Sequence, residues 1–160
     1  MADGLNDDRD VRNGWNGSLE YLPPKADTGS NVGRKRVTDY TPEGRHSVTP
    51  RLITPDVAEL VDFMRAVFDA QGDYVPERPA ELRIGDSIIM VSDGGGIRPS
   101  MPGFFYLYVP DTDATFQAAI SAGAVAIELP GDMPWGDRRA TVADRWGNLW
   151  QIATYLGVGG

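Results

Sequence analysis

Cysteine is absent from the 160-residue chain, which excludes disulfides and thiolate-held metals and leaves the redox compartment open. Histidine is nearly as scarce, with His46 standing alone. No apolar run approaches the roughly 18 residues of a membrane-crossing helix. Cations are the minority: 15 Lys and Arg stand against 23 Asp and Glu, for a net charge of -8 and a pI near 4.5. Such a balance repels nucleic acid unless basic residues cluster. The one dense basic run, Arg34-Lys35-Arg36, reads as a solvated loop. The opening residues lack the basic and apolar regions of a signal peptide. These absences predict a cytoplasmic protein with no nucleic-acid or membrane partner.

Apolar residues are also sparse from 1 to 44, a segment rich in Asp, Asn, Gly, Arg and Pro that cannot form a core of its own. Trp15, Leu19, Tyr21 and Leu22 interrupt that pattern. Residues 1–44 therefore read as an arm, either disordered or docked on its own domain or a partner subunit. The stretch 45–157 is enough for one domain, since a 17.4 kDa chain buries about two thirds of its unfolded surface.

That domain states one plan twice. Leu52-Ile53-Thr54-Pro55-Asp56 and Leu107-Tyr108-Val109-Pro110-Asp111 each carry a strand into a Pro-Asp helix start, at an offset of 55 residues. In the first copy, about 46–93, Ser47 to Ile53 reads as a strand with Pro50 at an edge. Thr54 is the expected N-cap, with Pro55 at N1 and Asp56 at the positive end of the helix dipole. Val57, Leu60, Val61, Met64, Val67 and Phe68 then recur at helical spacing. Ala80 to Ile84 and Ser87 to Ser92 are strands joined at Gly85-Asp86. Asp93-Gly94-Gly95-Gly96 is a linker and not a phosphate loop, because no Gly-Lys-Ser/Thr comes after it.

The second copy, about 101–156, runs through a strand at 103–109 and a helix capped by Asp111 or Thr112, with Gly123 past its end. Further strands are expected at 124–129, 138–143 and 148–155.

Alternation along each strand separates helix-facing from cleft-facing residues. Val48, Leu52, Ile89, Val91, Phe105, Leu107, Val109, Trp150 and Ile152 should meet the helices. Thr49, Arg51, Ile53, Ile88, Met90, Ser92, Phe104, Tyr106, Tyr108, Leu149, Gln151 and Ala153 should face the cleft. Pairing across the two-residue turn sets Ile84 opposite Ser87, Arg83 opposite Ile88 and Glu81 opposite Met90, which adds Glu81 and Arg83 to the cleft. The strand at 138–143 has no orientation legible from its pattern. A mostly apolar, aromatic surface with a few polar points is the composition of a small-molecule pocket.

Four features together resemble the vicinal oxygen chelate superfamily, which includes glyoxalase I, extradiol dioxygenases and bleomycin-resistance proteins. They are the paired Pro-Asp junctions, Ala80-Glu81-Leu82-Arg83-Ile84-Gly85-Asp86-Ser87, Trp135-Gly136-Asp137-Arg138-Arg139, and Asp144-x-x-Gly147 leading into Trp150-Gln151-Ile152-Ala153-Thr154. The resemblance covers about 46–156 and is nearest to the small bacterial glyoxalase-like branch. It implies an α+β fold of two tandem βαβββ modules, a curved mixed sheet with a cleft, and homodimerisation.

In metal-using members one His, Gln or Glu stands on the first and last strands of each module. Carried onto this sequence those positions are Thr49, Met90, Phe104 and Gln151. A phenyl ring donates nothing and a thioether is a poor ligand for zinc, manganese or nickel, so only Gln151 suits a metal. No metal and no other cofactor is expected.

Two functions compete. In the first, the cleft sequesters a planar or aromatic molecule, as metal-free resistance proteins of the family do, using Phe104, Tyr106 and Tyr108 inside and Trp135 and Trp146 at the mouth. Thr49, Arg51, Met90, Asp137, Arg139 and Gln151 complete the candidate ligand-binding set, and an acidic surface suits a cationic ligand. These aromatics can equally be core filling. In the second, a metal-free lyase or isomerase uses Glu81 as general base and Arg51 or Arg83 to stabilise an oxyanion. The bland counterpart is a Glu81-Arg83-Arg51 ion network. A third reading, a regulatory partner protein, would use the arm as its contact.

Overall fold

The computed structural model describes residues 40–157, so the expectations for residues 1–39, including the basic run and Trp15 to Leu22, lie outside the described residues. Strand β1 (Arg51–Ile53) leads to helix α1 (Val57–Phe68) and the hairpin β2 (Ala80–Ile84) and β3 (Ser87–Ser92). Strand β4 (Phe104–Tyr108) leads to α2 (Thr112–Ser121), β5 (Val125–Asp132), β6 (Asp137–Ala143) and β7 (Leu149–Tyr155). The fold is α+β, and the repeat is visible as two mixed sheets of order β1-β3-β2 and β4-β7-β6-β5. In each, the first strand runs parallel to the last.

The first module is shorter than the expected βαβββ. Its missing strand survives as a single bridge in which Gln71 and Arg83 exchange backbone hydrogen bonds of 2.8 and 2.7 Å. Pro76 and Pro79 come next, and a residue without an N–H cannot extend a ladder. Gly72 sits against β2 with φ near 144°, where an added Cβ would lie 2.2 Å from the Glu81 carbonyl oxygen.

Three further boundaries depart from the sequence pattern. Strand β1 begins only at Arg51, because Pro50 contributes just its carbonyl, accepting from Met90 N–H at 2.9 Å; Val48 is therefore exposed and packs on no helix. Helix α1 begins at Val57 and not at Pro55. Thr54 Oγ1 accepts from Asp56 N–H at 3.2 Å, and the Asp56 carboxylate makes no cap because Trp146 Nε1 donates to it at 3.1 Å. Strand β5 continues through Pro130 and Gly131, which an edge strand tolerates. Helix α2 starts as expected, with the Asp111 side chain accepting from Ala114 N–H at 2.9 Å.

Leu60, Val61 and Met64 of α1 are fully buried with Leu82 and Val91 of the β2–β3 hairpin, each burial contributing about 1.5–3 kcal/mol. Helix α2 covers β5, β6 and β7 and also touches α1. Aromatic rings join the modules: Trp150 of β7 lies 4.9 Å from Phe68 and stacks on Phe105 at 4.7 Å, while Phe63 meets the edge of Trp146 at 6.1 Å.

One buried carboxylate organises the β6–β7 turn. Asp144 Oδ1 accepts from Trp146 N–H at 3.0 Å and Asn148 N–H at 2.9 Å, and Oδ2 accepts from Asn148 Nδ2 and Trp150 Nε1, both at 2.8 Å. Removing it strands several donors in the interior, each costing about 1–3 kcal/mol. Asp144→Ala should therefore lower stability by about 3–4 kcal/mol, read from the urea unfolding midpoint. A loss under about 1 kcal/mol would show that the turn holds without it.

Candidate functional site

The helix-free face of the second sheet presents its residues in rows fixed by register. One row is Tyr106, Gln151, Thr141 and Glu128; the next is Tyr108, Ala153, Arg139 and Gly131. Parity along β4 thus holds as expected: Leu107 is buried, while Phe104, Tyr106 and Tyr108 are 61, 41 and 64% exposed. Pairing with β7 also orients β6. Ala140 and Val142 are buried opposite Ile152 and Trp150, so Arg139 and Thr141 share the face with Tyr106 and Tyr108.

At one end of these rows Asp137 is only 3% exposed. Its Oδ2 accepts from Tyr106 Oη at 2.6 Å, Trp135 Nε1 at 3.0 Å and Tyr108 Oη at 3.4 Å. Burial, together with the hydrogen bond to Asp137 and its negative charge, pushes the Tyr106 phenol up to about 12. Arg139 lies 5.5 Å over the Trp135 ring and donates from Nη2 to Glu128 at 3.2 Å, and its Nε is buried without a partner among the described residues. The Glu128 carboxylate also accepts from Thr141 Oγ1. That bond, with Arg139 and Gln151 beside it, holds the Glu128 carboxyl below its ordinary value.

The first sheet carries the equivalent row Arg51, Met90 and Glu81, in the register expected for β2 and β3. The expected Glu81-Arg83-Arg51 network does not form. Glu81 is bound by Arg45, Arg51 Nε donates to Ser92 Oγ at 2.9 Å, and Arg83 reaches the Gly44 carbonyl at 3.4 Å. Sequence spacing missed Arg45 because it lies on the irregular segment before β1.

The structure assembles Tyr106, Tyr108, Trp135, Asp137, Arg139 and Gln151 on one face, with Phe104 at its margin. Thr49 precedes β1 on irregular backbone, and Arg51, Glu81, Arg83 and Met90 belong to the other sheet. Trp146 is a correction: packed on Phe63 and bonded to Asp56, it is a helix-side brace away from this face. Glu128 was missed because β5 bulges between Ala126 and Glu128 and again before Gly131, which breaks its alternation, and Thr141 because β6 is oriented only by its pairing with β7.

A cavity of about 290 Å³ runs along the open edge of β4, where Phe105, Tyr106 and Tyr108 face Ile84, Asp86 and Ile89 of the β2–β3 hairpin. The four positions carried over from metal-using relatives do not fit a metal. Phe104 has no donor atom, Met90 offers a thioether, Thr49 offers only a hydroxyl on irregular backbone before β1, and Gln151 is engaged with Glu128.

Residues 45–152 match the Glyoxalase/Bleomycin resistance protein/Dioxygenase superfamily, and the chain belongs to that family. It is 33% identical over 123 residues to the uncharacterised protein Mb0911c of Mycobacterium bovis, the match covering 66% of this chain and 81% of the relative. Among solved structures it is similar to TioX from Micromonospora sp. ML1, at 28% identity and a TM-score of 0.57, covering 68% of this chain and 98% of that one. A family enzyme from Burkholderia phytofirmans PsJN shares the fold at 22% identity and a TM-score of 0.54, covering 68% and 97%. Among the described residues no helix is long and apolar enough to cross a membrane.

The raised Tyr106 phenol has a measurable sign. Its acid form contributes stability that is complete below the ordinary tyrosine value near 10 and is lost as pH rises through about 12. The near-ultraviolet phenolate difference between wild type and Tyr106→Phe should thus be absent at pH about 10.5; a full Tyr106 contribution there would contradict the hydrogen bond to Asp137.

Proposed function

We propose that the protein is a metal-independent small-molecule-binding protein that holds a planar or aromatic ligand against the β4 face, in the antibiotic-sequestration style of its family. The observation that carries this reading is the exposure of Phe104, Tyr106, Tyr108 and Trp135, at 61, 41, 64 and 51%, with Tyr106 and Tyr108 lining the β4 cavity. A flat ligand laid on these rings removes apolar surface from water, and each stacked pair adds about 0.5–1.5 kcal/mol beyond that burial. Membership of a family named in part for bleomycin resistance supports it. In this reading 45–157 is the binding domain, 1–44 is an arm, and the protein is cytoplasmic.

A metal-free lyase or isomerase reading would need Glu81 free to accept a proton, and here Arg45 holds it. Quinoline, titrated against intrinsic tryptophan fluorescence, separates the two. Quinoline should bind, Tyr108→Ala should weaken it roughly 2- to 10-fold, and Glu81→Gln should leave it within about twofold. A turnover resting on Glu81 would instead fall by about 10² to 10⁴ in that variant. Absence of binding by quinoline and larger planar aromatics would refute the reading.

The exposed ring face, together with the outer edge of β4, which pairs with no strand among the described residues, supports a homodimer. Light scattering should give about twice the 17.4 kDa chain mass, whereas a monomer at micromolar concentration would remove the dimer from this proposal.

A further inference from the structure

We propose that the planar ligand is cationic, its positive charge lying on the outward faces of Tyr106 and Tyr108 beside Asp137; this rests on the reading of the protein as a binder of planar molecules. Asp137 is 3% exposed, yet among the described residues its carboxylate is answered only by the neutral donors Tyr106, Tyr108 and Trp135. The neighbouring cations are committed elsewhere. Arg138 pairs with Asp113 and, at 2.8 Å, with Asp132, while Arg139 pairs with Glu128. None of the ion pairs among the described residues includes Asp137. Partial neutralisation by dipoles leaves a negative potential at the exposed ring faces, where salt can screen it.

The direction of the donors matters as much as the charge. Each ring turns its polar rim toward Asp137; the Trp135 face is covered by Arg139 at 5.5 Å, which leaves the faces of Tyr106 and Tyr108 for something else. Tyr106 and Tyr108 touch each other, 5.4 Å apart between centroids at an angle of 55°, so the faces left open are the ones they turn outward. Donation to an anion enriches these rings in electron density, and cations are attracted to such faces.

The adjoining cavity points the same way. Its lining has one carboxylate, Asp86, and no Lys, Arg or His. An aromatic carboxylate or phosphate would enter against two negative groups, whereas a fused ring bearing an alkylated or protonated nitrogen satisfies both the apolar wall and the charge. The chemical class is therefore a heteroaromatic or arylalkyl ammonium.

The test compares N-methylquinolinium with neutral quinoline on the full chain, by tryptophan quenching at neutral pH. N-methylquinolinium should bind roughly tenfold more tightly, and the preference should shrink on raising salt from about 0.05 to about 0.5 M. In Asp137→Asn the ratio of the two affinities should fall to about one, whatever the absolute affinity for quinoline; a ratio still near ten in that variant overturns the role of Asp137. Should that variant fail to fold, judged by its thermal midpoint, the salt series on wild type decides. Equal or weaker binding of N-methylquinolinium overturns the cation subsite and leaves the planar-ligand reading standing. If neither molecule binds, both fall.

Discussion

The geometry of the site depends on the buried Asp144 carboxylate. By accepting from Trp146, Asn148 and Trp150 it fixes the β6–β7 turn, and Asn148 Oδ1 in turn accepts from Gly103 N–H at 2.8 Å at the entry to β4. These bonds set the register of β7 against both neighbours. A slip of one residue would drive Trp150 and Ile152 out of the core and bring Gln151 inward. The same turn sends Trp146 back to Asp56 and Phe63, so one charge ties strand register to the packing of the two modules.

Much of the fold was legible because period and punctuation agreed. The apolar stripe of α1 is buried as its spacing requires, and the two-residue turn at Gly85-Asp86 set the β2–β3 register residue by residue. Misreadings cluster where side chains compete with backbone. Thr54 and Pro55 carry the signature of a helix start, yet the Asp56 carboxylate is drawn to Trp146, 90 residues away in sequence, and the helix opens two residues later. No local pattern encodes that partner.

The site was legible in half. Strand parity placed Tyr106, Tyr108 and Gln151 on a common face, and the Trp135 to Arg139 motif supplied its floor. Glu128 and Thr141 escaped because two bulges scramble β5, and β6 gains its orientation only from pairing with β7. Glu81 illustrates the opposite error. Its cross-strand position was right, but its charge partner, Arg45, comes from backbone with no periodicity at all.

The two sheets are separate ladders, held side by side chiefly by Trp150, Phe68, Phe105 and the contacts of their helices. The gap along β4 is consequently bounded by side chains and a hairpin tip, with no strand hydrogen bonds closing it. Exchanging Ile84, partly buried at the hairpin tip, for a larger or smaller residue resizes that gap while leaving the buried Ile89 in place. Relatives built on this scaffold can diverge in what they hold while keeping the same backbone.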